Sequence, residues 1–236
     1  MKWSCAADVN QEVLDTVNNS LRYSYASSAI ELQRKAIETL ESLHDRLRAL
    51  RESSIAQCDE PYANAGFRAQ MLVSATLKVM EMWVLLKDDK PHLAWDKLAE
   101  AQEALVIAQR VQFDPELLPL VNHLSEIEKV VFPPQMFFSS AYTYTEALCS
   151  ICDGRYGECM HIAGRIYMGR ICNRVIAKSE LREISIVQNP QNKKCRVEDY
   201  AECGKAFCTL TGREVPQEKP IDPDVRFCSG FILRAD

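Results

Sequence analysis

The sequence predicts an α+β protein, with an N-terminal all-α bundle of about five helices over residues 1–132 followed by a small β-rich zinc-binding module over residues 133–236. Three observations predict it. Apolar residues recur on a three/four spacing through the first part, and Pro133-Pro134 ends that pattern. Beyond it the text alternates apolar and polar residues around a tight group of cysteines, which is the period of strands.

A chain of 236 residues has room for two compact units, since domains cluster near about 100 to 150 residues. A hydrophobic content of 47%, with only 8 Gly and 10 Pro, excludes wholesale disorder and fibrous repeats. The segment Met1-Lys2-Trp3-Ser4-Cys5-Ala6-Ala7-Asp8 has no apolar run of signal-peptide length, so a cytoplasmic location is expected. With no export signal, the 10 cysteines fit reduced thiols and a metal better than a disulfide framework. The net charge of −5 is uneven: residues 1–132 carry 14 Lys and Arg against 20 Asp and Glu, residues 133–236 carry 14 against 13. Neither part is basic enough to predict nucleic acid by charge alone.

The first amphipathic stretch runs from about Val9 to Tyr23 and offers Val13, Leu14, Val17 and Leu21 to the core. The second starts near Ser28, where Ser28 and Glu31 have capping-box spacing, and carries Ile30, Ile37, Leu40, Leu43, Leu47 and Leu50 to about Ile55. Gln57 to Tyr62 reads as a turn. The following stretch from Phe67 to Trp83 is apolar on nearly every face, as a central helix is. Met71 to Leu86 is interrupted by Lys78 and Glu81 and is shorter than the roughly 20 residues that span a bilayer, so a buried helix is expected and no membrane. Lys87-Asp88-Asp89-Lys90 and Pro91 turn the chain into a fourth helix with Trp95, Leu98, Ala101, Leu105 and Ala108. Asp114-Pro115-Glu116 starts a fifth with Leu118, Val121, Leu124, Ile127 and Val131. Met136 to Thr145, Glu183 to Val187 and Arg226 to Leu233 read as strands.

The chemistry concentrates in Cys149-Ser-Ile-Cys152-Asp-Gly-Arg-Tyr-Gly-Glu-Cys159-Met-His161. Two thiolates separated by two residues reach one face of a tetrahedral ion, and Gly154 and Gly157 let the loop fold back so that Cys159 and His161 complete it. Four ligands leave no open position, so one structural Zn2+ is expected. Cys172 is an alternative to His161 as fourth ligand. The plain alternative is a set of reduced cysteines in a small core; a redox C-x2-C would need a thioredoxin-like βαβ pattern, which is missing here. Cys195, Cys203, Cys208 and Cys228 lack C-x2-C spacing and read as packing rather than a second metal site, and Cys5 and Cys58 as unpaired.

The run Cys149-x2-Cys152-x6-Cys159-x-His161-x2-Gly164-x2-Tyr167-x-Gly169-x2-Cys172, followed by Glu183 to Val187 and Pro190-x-Asn192, resembles a zinc-containing segment of some tailed-phage prohead (capsid-maturation) proteases, over about residues 136–192. The resemblance implies a shared module and a phage or prophage origin. It transfers no catalytic residue: Ser139 and Ser140 follow a strand-like run as the nucleophile would, but His161 is assigned to zinc and His44, His92 and His123 lie in the helical part.

The chain contains no H-E-x-x-H, no G-x-S-x-G, no Walker loop and no glycine-rich dinucleotide turn, so no catalytic residue is assigned. His123 and Glu126 share a helix face but lack inward partners for a metal. The expected function is a non-catalytic zinc-binding subunit or adaptor, of phage, prophage or bacterial-defence origin, that binds a protein partner or self-associates. The alternative is a nucleic-acid-binding accessory protein that uses the basic patch of Arg165, Arg170, Arg174 and Lys178, interleaved with Tyr156 and Tyr167. A degenerate protease of the prohead type is the second alternative.

Overall fold

The helices form where the apolar spacing places them. A computed structural model describes residues 6–202 and 204–217, with α1 at Ala6–Leu21, α2 at Ile30–Ala56, α3 at Glu60–Lys87, α4 at Pro91–Val111 and α5 at Leu118–Val131. A single 3-10 turn, Pro115–Leu117, leads into α5. Among the described residues seven strands follow: β1 Phe137–Cys149, β2 Ile166–Tyr167, β3 Arg170–Ile171, β4 Arg174–Val187, β5 Asp199–Glu202, β6 Lys205–Cys208 and β7 Glu214–Val215. The α+β class is thus the observed one, five helices followed by small antiparallel sheets.

The described chain forms two compact units. One holds the residues up to Leu124 together with Tyr144–Glu180; the other holds Ser125–Thr143 and the described residues from Leu181 onward. This partition differs from the expected boundary at residues 132 and 133, because the cysteine-bearing segment belongs with the helices. Both β1 and β4 contribute residues to each unit.

In the helical unit α3 is the centre. It packs against α2, α4 and α1, and Leu72, Val73, Val79, Met80, Met82 and Trp83 are buried along it. This helix is long and apolar enough to cross a membrane by length and composition, yet its apolar faces are taken up by its neighbours, as all-round apolarity in a bundle core requires. From α2 come Leu40, Leu43 and Leu47, and from α4 Trp95, Leu98 and Leu105. Lys78 and Lys97 share Glu81 at 2.9 and 2.8 Å, a charged clasp between α3 and α4.

Two helix starts depart from the reading of the sequence. The capping box at Ser28 and Glu31 does not form: Ala29 is the N-cap of α2 and no side chain caps it. The loop before it is held instead by Gln33, fully buried, whose amide donates to the carbonyls of Tyr23 and Tyr25 at 3.0 and 3.1 Å while its oxygen accepts from Lys87. Satisfying three polar groups at once makes this glutamine a core residue that apolar periodicity does not reveal. The stretch Gln57 to Tyr62, expected as a turn, already contains the start of α3. Asp59 accepts from the Tyr62 N–H at 3.1 Å with Pro61 in the first turn, the same cap chemistry that Asp114 provides before α5 by accepting from the Glu116 N–H at 3.0 Å.

The second unit gathers Ile127, Phe132, Phe137, Val197, Ala201, Ala206, Cys208 and Leu210 into its core. Strands β5, β6 and β7 form an antiparallel sheet with Tyr200 opposite Phe207 and Ala206 opposite Val215. Arg196 is buried there and reaches the Thr209 hydroxyl at 3.3 Å. The strand-like text from Arg226 to Leu233 lies outside the described residues.

Candidate metal centre

The centre is built at one end of the β1–β4 ribbon. Cys149 is the last residue of β1, and Cys172 stands two residues before β4 begins. The Ser150 N–H donates to the Asn173 carbonyl at 3.1 Å and the Asn173 N–H to the Ser150 hydroxyl at 2.8 Å, so the two strand ends are tied directly beside the thiols.

From Cys149 the chain makes the tight turn that C-x2-C spacing calls for. The Asp153 N–H returns to the Cys149 carbonyl at 2.8 Å, the Cys149 N–H donates to the Gly154 carbonyl at 2.8 Å, and the Ile151 N–H points at the Cys149 sulfur at 3.5 Å. The left-handed residue of this turn is Asp153, with φ 57°, rather than Gly154; Gly157, with φ 99°, supplies the second reversal as its sequence position suggested. Beyond His161 two tyrosine hydroxyls hold the backbone: Tyr167 accepts from the Ile162 N–H and Tyr156 from the Ala163 N–H, both at 3.0 Å. The Tyr167 ring also meets His161 edge to face, with centroids 4.8 Å apart.

These constraints converge. The ligand atoms of Cys149, Cys152, Cys159 and His161 all lie within 4.8 Å of one another, and among the described residues this is the one such cluster. His161 Nδ1 is buried and has no hydrogen-bond partner; such a nitrogen carries a desolvation cost that a metal ion would remove. Burial pushes the Cys149 thiol up, but the N–H groups of Ile151 and Cys152 and hydrogen bonds with the Cys152 and Cys159 side chains more than offset it and bring it down to about 6. Its thiolate, the form that binds metals, is therefore favoured at neutral pH. Three sulfurs and one imidazole form a closed set that can hold one metal ion in a tetrahedron.

The loop is anchored on α3. Strands β2 and β3 form a two-residue hairpin whose turn, Met168 and Gly169, has positive φ at both positions, the mirror-image turn that twisted strands favour. The Met168 N–H donates to Glu60 at 3.2 Å and the Gly169 N–H to Asn64 at 2.7 Å. A Cβ on Gly169 would stand 2.8 Å from the Ala63 carbonyl oxygen, a backbone atom held in a helix. Gly169→Ala is therefore expected to cost about 1 to 3 kcal/mol through overpacking and the disfavoured φ. Thermal unfolding and amide exchange over residues 166–171 measure it; unchanged protection of the turn would show that the close approach is not needed.

Of the basic candidates, Arg174 lies over the Tyr156 ring at 4.7 Å and donates to the Tyr144 hydroxyl at 3.4 Å, and Lys178 pairs with Glu146 at 3.3 Å. Arg165 and Arg170 are exposed, and Arg170 is close enough to Arg51 of α2 to disfavour its charge, secondary to the effect of burial. Two of the four thus face neighbouring side chains, and two are exposed. Cys208 is buried and packs as expected, whereas Cys195 and Cys58 are exposed; Cys203, Cys228 and Cys5 lie outside the described residues. The anchoring residues Glu60, Asn64 and Gly169 were missed, although Met168-Gly169 between Ile166-Tyr167 and Arg170-Ile171 is a short-hairpin signal.

Fold and site together define a helical protein carrying a Cys3His loop able to hold a metal ion. No protein-family model matches the chain, and neither curated proteins nor solved structures gave a match to it.

Proposed function

We propose that this chain is a non-catalytic adaptor in which Zn2+ bound by Cys149, Cys152, Cys159 and His161 fixes the end of a β-ribbon that binds a protein partner. Zinc is the ion that a three-thiolate, one-imidazole tetrahedron suits best, and a fourth protein ligand leaves no place for substrate. The observation that carries the adaptor reading is the exposure of large apolar side chains on the part of the ribbon that belongs to the second unit: Tyr142 at 48%, Leu181 at 58% and Ile186 at 54%. Scattered apolar residues are ordinary on a surface, but their concentration on one two-stranded element is what contact surfaces offer. The nucleic-acid alternative has less support, since Arg174 and Lys178 are engaged with Tyr156, Tyr144 and Glu146.

The test compares the tagged full-length chain with its Tyr142→Ser/Leu181→Ser variant, each purified from the native cells. The expected result is a stoichiometric protein partner, or a second copy by sedimentation, that the variant loses while its zinc content stays at the parent's level. Partners retained by the variant at full yield, or a monomer without partners in both, would refute the ribbon as the contact surface.

A further inference from the structure

A further sulfur stands beside the four-donor cluster. Cys172 is fully buried, and its sulfur lies 3.8 Å from that of Cys149, 23 residues away in the chain. With metal–sulfur bonds of about 2.3 Å, the edge of a tetrahedron of thiolates is about 3.8 Å, so this pair already has the separation of two sulfurs on one ion. The Cys152 and Cys159 thiols are also within electrostatic reach of Cys172. Its backbone is fixed at both sides: the Cys172 N–H donates to the Arg165 carbonyl and its own carbonyl accepts from the Gly164 N–H, both at 2.8 Å. His161, by contrast, is only partly buried and is held through the edge of Tyr167.

We propose that Cys172 is a second fourth ligand, so that the metal has two four-coordinate forms, one with three thiolates and His161 and one with the four thiolates of Cys149, Cys152, Cys159 and Cys172. This rests on the assignment of a metal to the Cys3His cluster. In the exchange the metal–imidazole bond would break, the Cys172 thiol would give its proton to water, and its sulfur would take the vacated position. The released imidazole swings on the loop between Cys159 and Tyr167 and no oxidant is involved. The consequence is a site that keeps its ion when His161 is lost, and whose charge then becomes more negative by one.

Cobalt(II) reports the ligand set directly, because sulfur-to-cobalt charge transfer grows with the number of thiolates and ligand-field bands report tetrahedral geometry. Full-length parent, His161→Ala, Cys172→Ser and the double variant are titrated with Co2+ alone, with far-UV circular dichroism confirming that the helices are folded. The expected result is one tetrahedral Co2+ in each single variant, charge transfer about one third stronger in His161→Ala than in Cys172→Ser, in proportion to four against three thiolates, and at least a tenfold loss of affinity in the double variant. Loss of tetrahedral cobalt from either single variant would make that donor obligatory and overturn the exchange. Failure of the underlying assignment looks different: the parent itself would bind no tetrahedral cobalt, or Cys152→Ser/Cys159→Ser, with three donors left, would bind it as well as the parent.

Discussion

Cys152→Ser/Cys159→Ser is expected to leave the purified chain with little or no zinc, against about one ion per chain in the parent, and to release amide-exchange protection from residues 144–173 while the far-UV helical signal persists. The size of the effect follows from coordination chemistry. Structural zinc in small modules binds with an apparent ~10 to 16 kcal/mol coupled to folding, and this segment has little else to order it, since it contributes none of the largest fully buried side chains and its fully buried side chains are the small thiols of Cys149 and Cys172. The docking of the Met168-Gly169 turn on Asn64 and Glu60 keeps one point of attachment, so the segment loosens around that point and does not detach. Elemental analysis of protein made without a metal-chelating tag decides the matter. A parent without zinc would show that the cluster is a set of reduced cysteines packed together, and a full complement in the double variant would show that Cys152 and Cys159 are not ligands. Cys208→Ser serves as the control: that thiol is buried in the other unit, and its zinc content should equal the parent's.

The second large effect is expected in the helical unit. Leu47 is completely buried on α2, facing the central helix, and Leu47→Ala should destabilise the unit by about 2 to 5 kcal/mol through lost transfer free energy and the cavity left behind. Total stabilities of about 5 to 15 kcal/mol make that a large fraction, and the melting temperature should fall by roughly 2 to 4 °C for each kcal/mol in a unit of this size. Leu32, 44% exposed on the same helix, gives the comparison: Leu32→Ala should shift stability by less than about 0.5 kcal/mol. Equal losses from the two substitutions would contradict the packing of α2 against α3.

The parts of this molecule that could be read from sequence share one physical property: they follow from local repetition or local spacing. Leu40, Leu43 and Leu47 announce the buried face of α2, and the short spacing of Cys149, Cys152, Cys159 and His161 announces that their donor atoms lie together, in a cluster that could hold a metal ion. What was missed depends on partners distant in the chain. Gln33 looks like a surface residue until the carbonyls of Tyr23 and Tyr25 and the Lys87 ammonium are brought to it. Gly169 looks like any turn glycine until the Ala63 carbonyl is found against it, a separation of more than 100 residues. The placement of the cysteine loop with the helices, rather than in a separate module, rests on those same long-range contacts, and Pro133-Pro134 marks only the end of a helix. Arg174 and Lys178 illustrate a different limit: as letters they are free cations, and only the fold reveals that Tyr156 and Glu146 face them.

The tie between Ser150 and Asn173 at the foot of the ribbon has a kinetic consequence. A hairpin joined by a two-residue turn zips from its turn, because the first cross-strand pair forms at almost no loop cost. This ribbon has no such turn: the strand ends at Cys149 and Cys172 are 23 residues apart in sequence, and closing a loop of that length costs about 3 kcal/mol of chain entropy before any ladder bond forms. In the proposed four-thiolate form, an ion that gathers Cys149 and Cys172 would take the place of the turn as the point of nucleation. Assembly of the ribbon would then be a second-order process, first order in chain and first order in free metal.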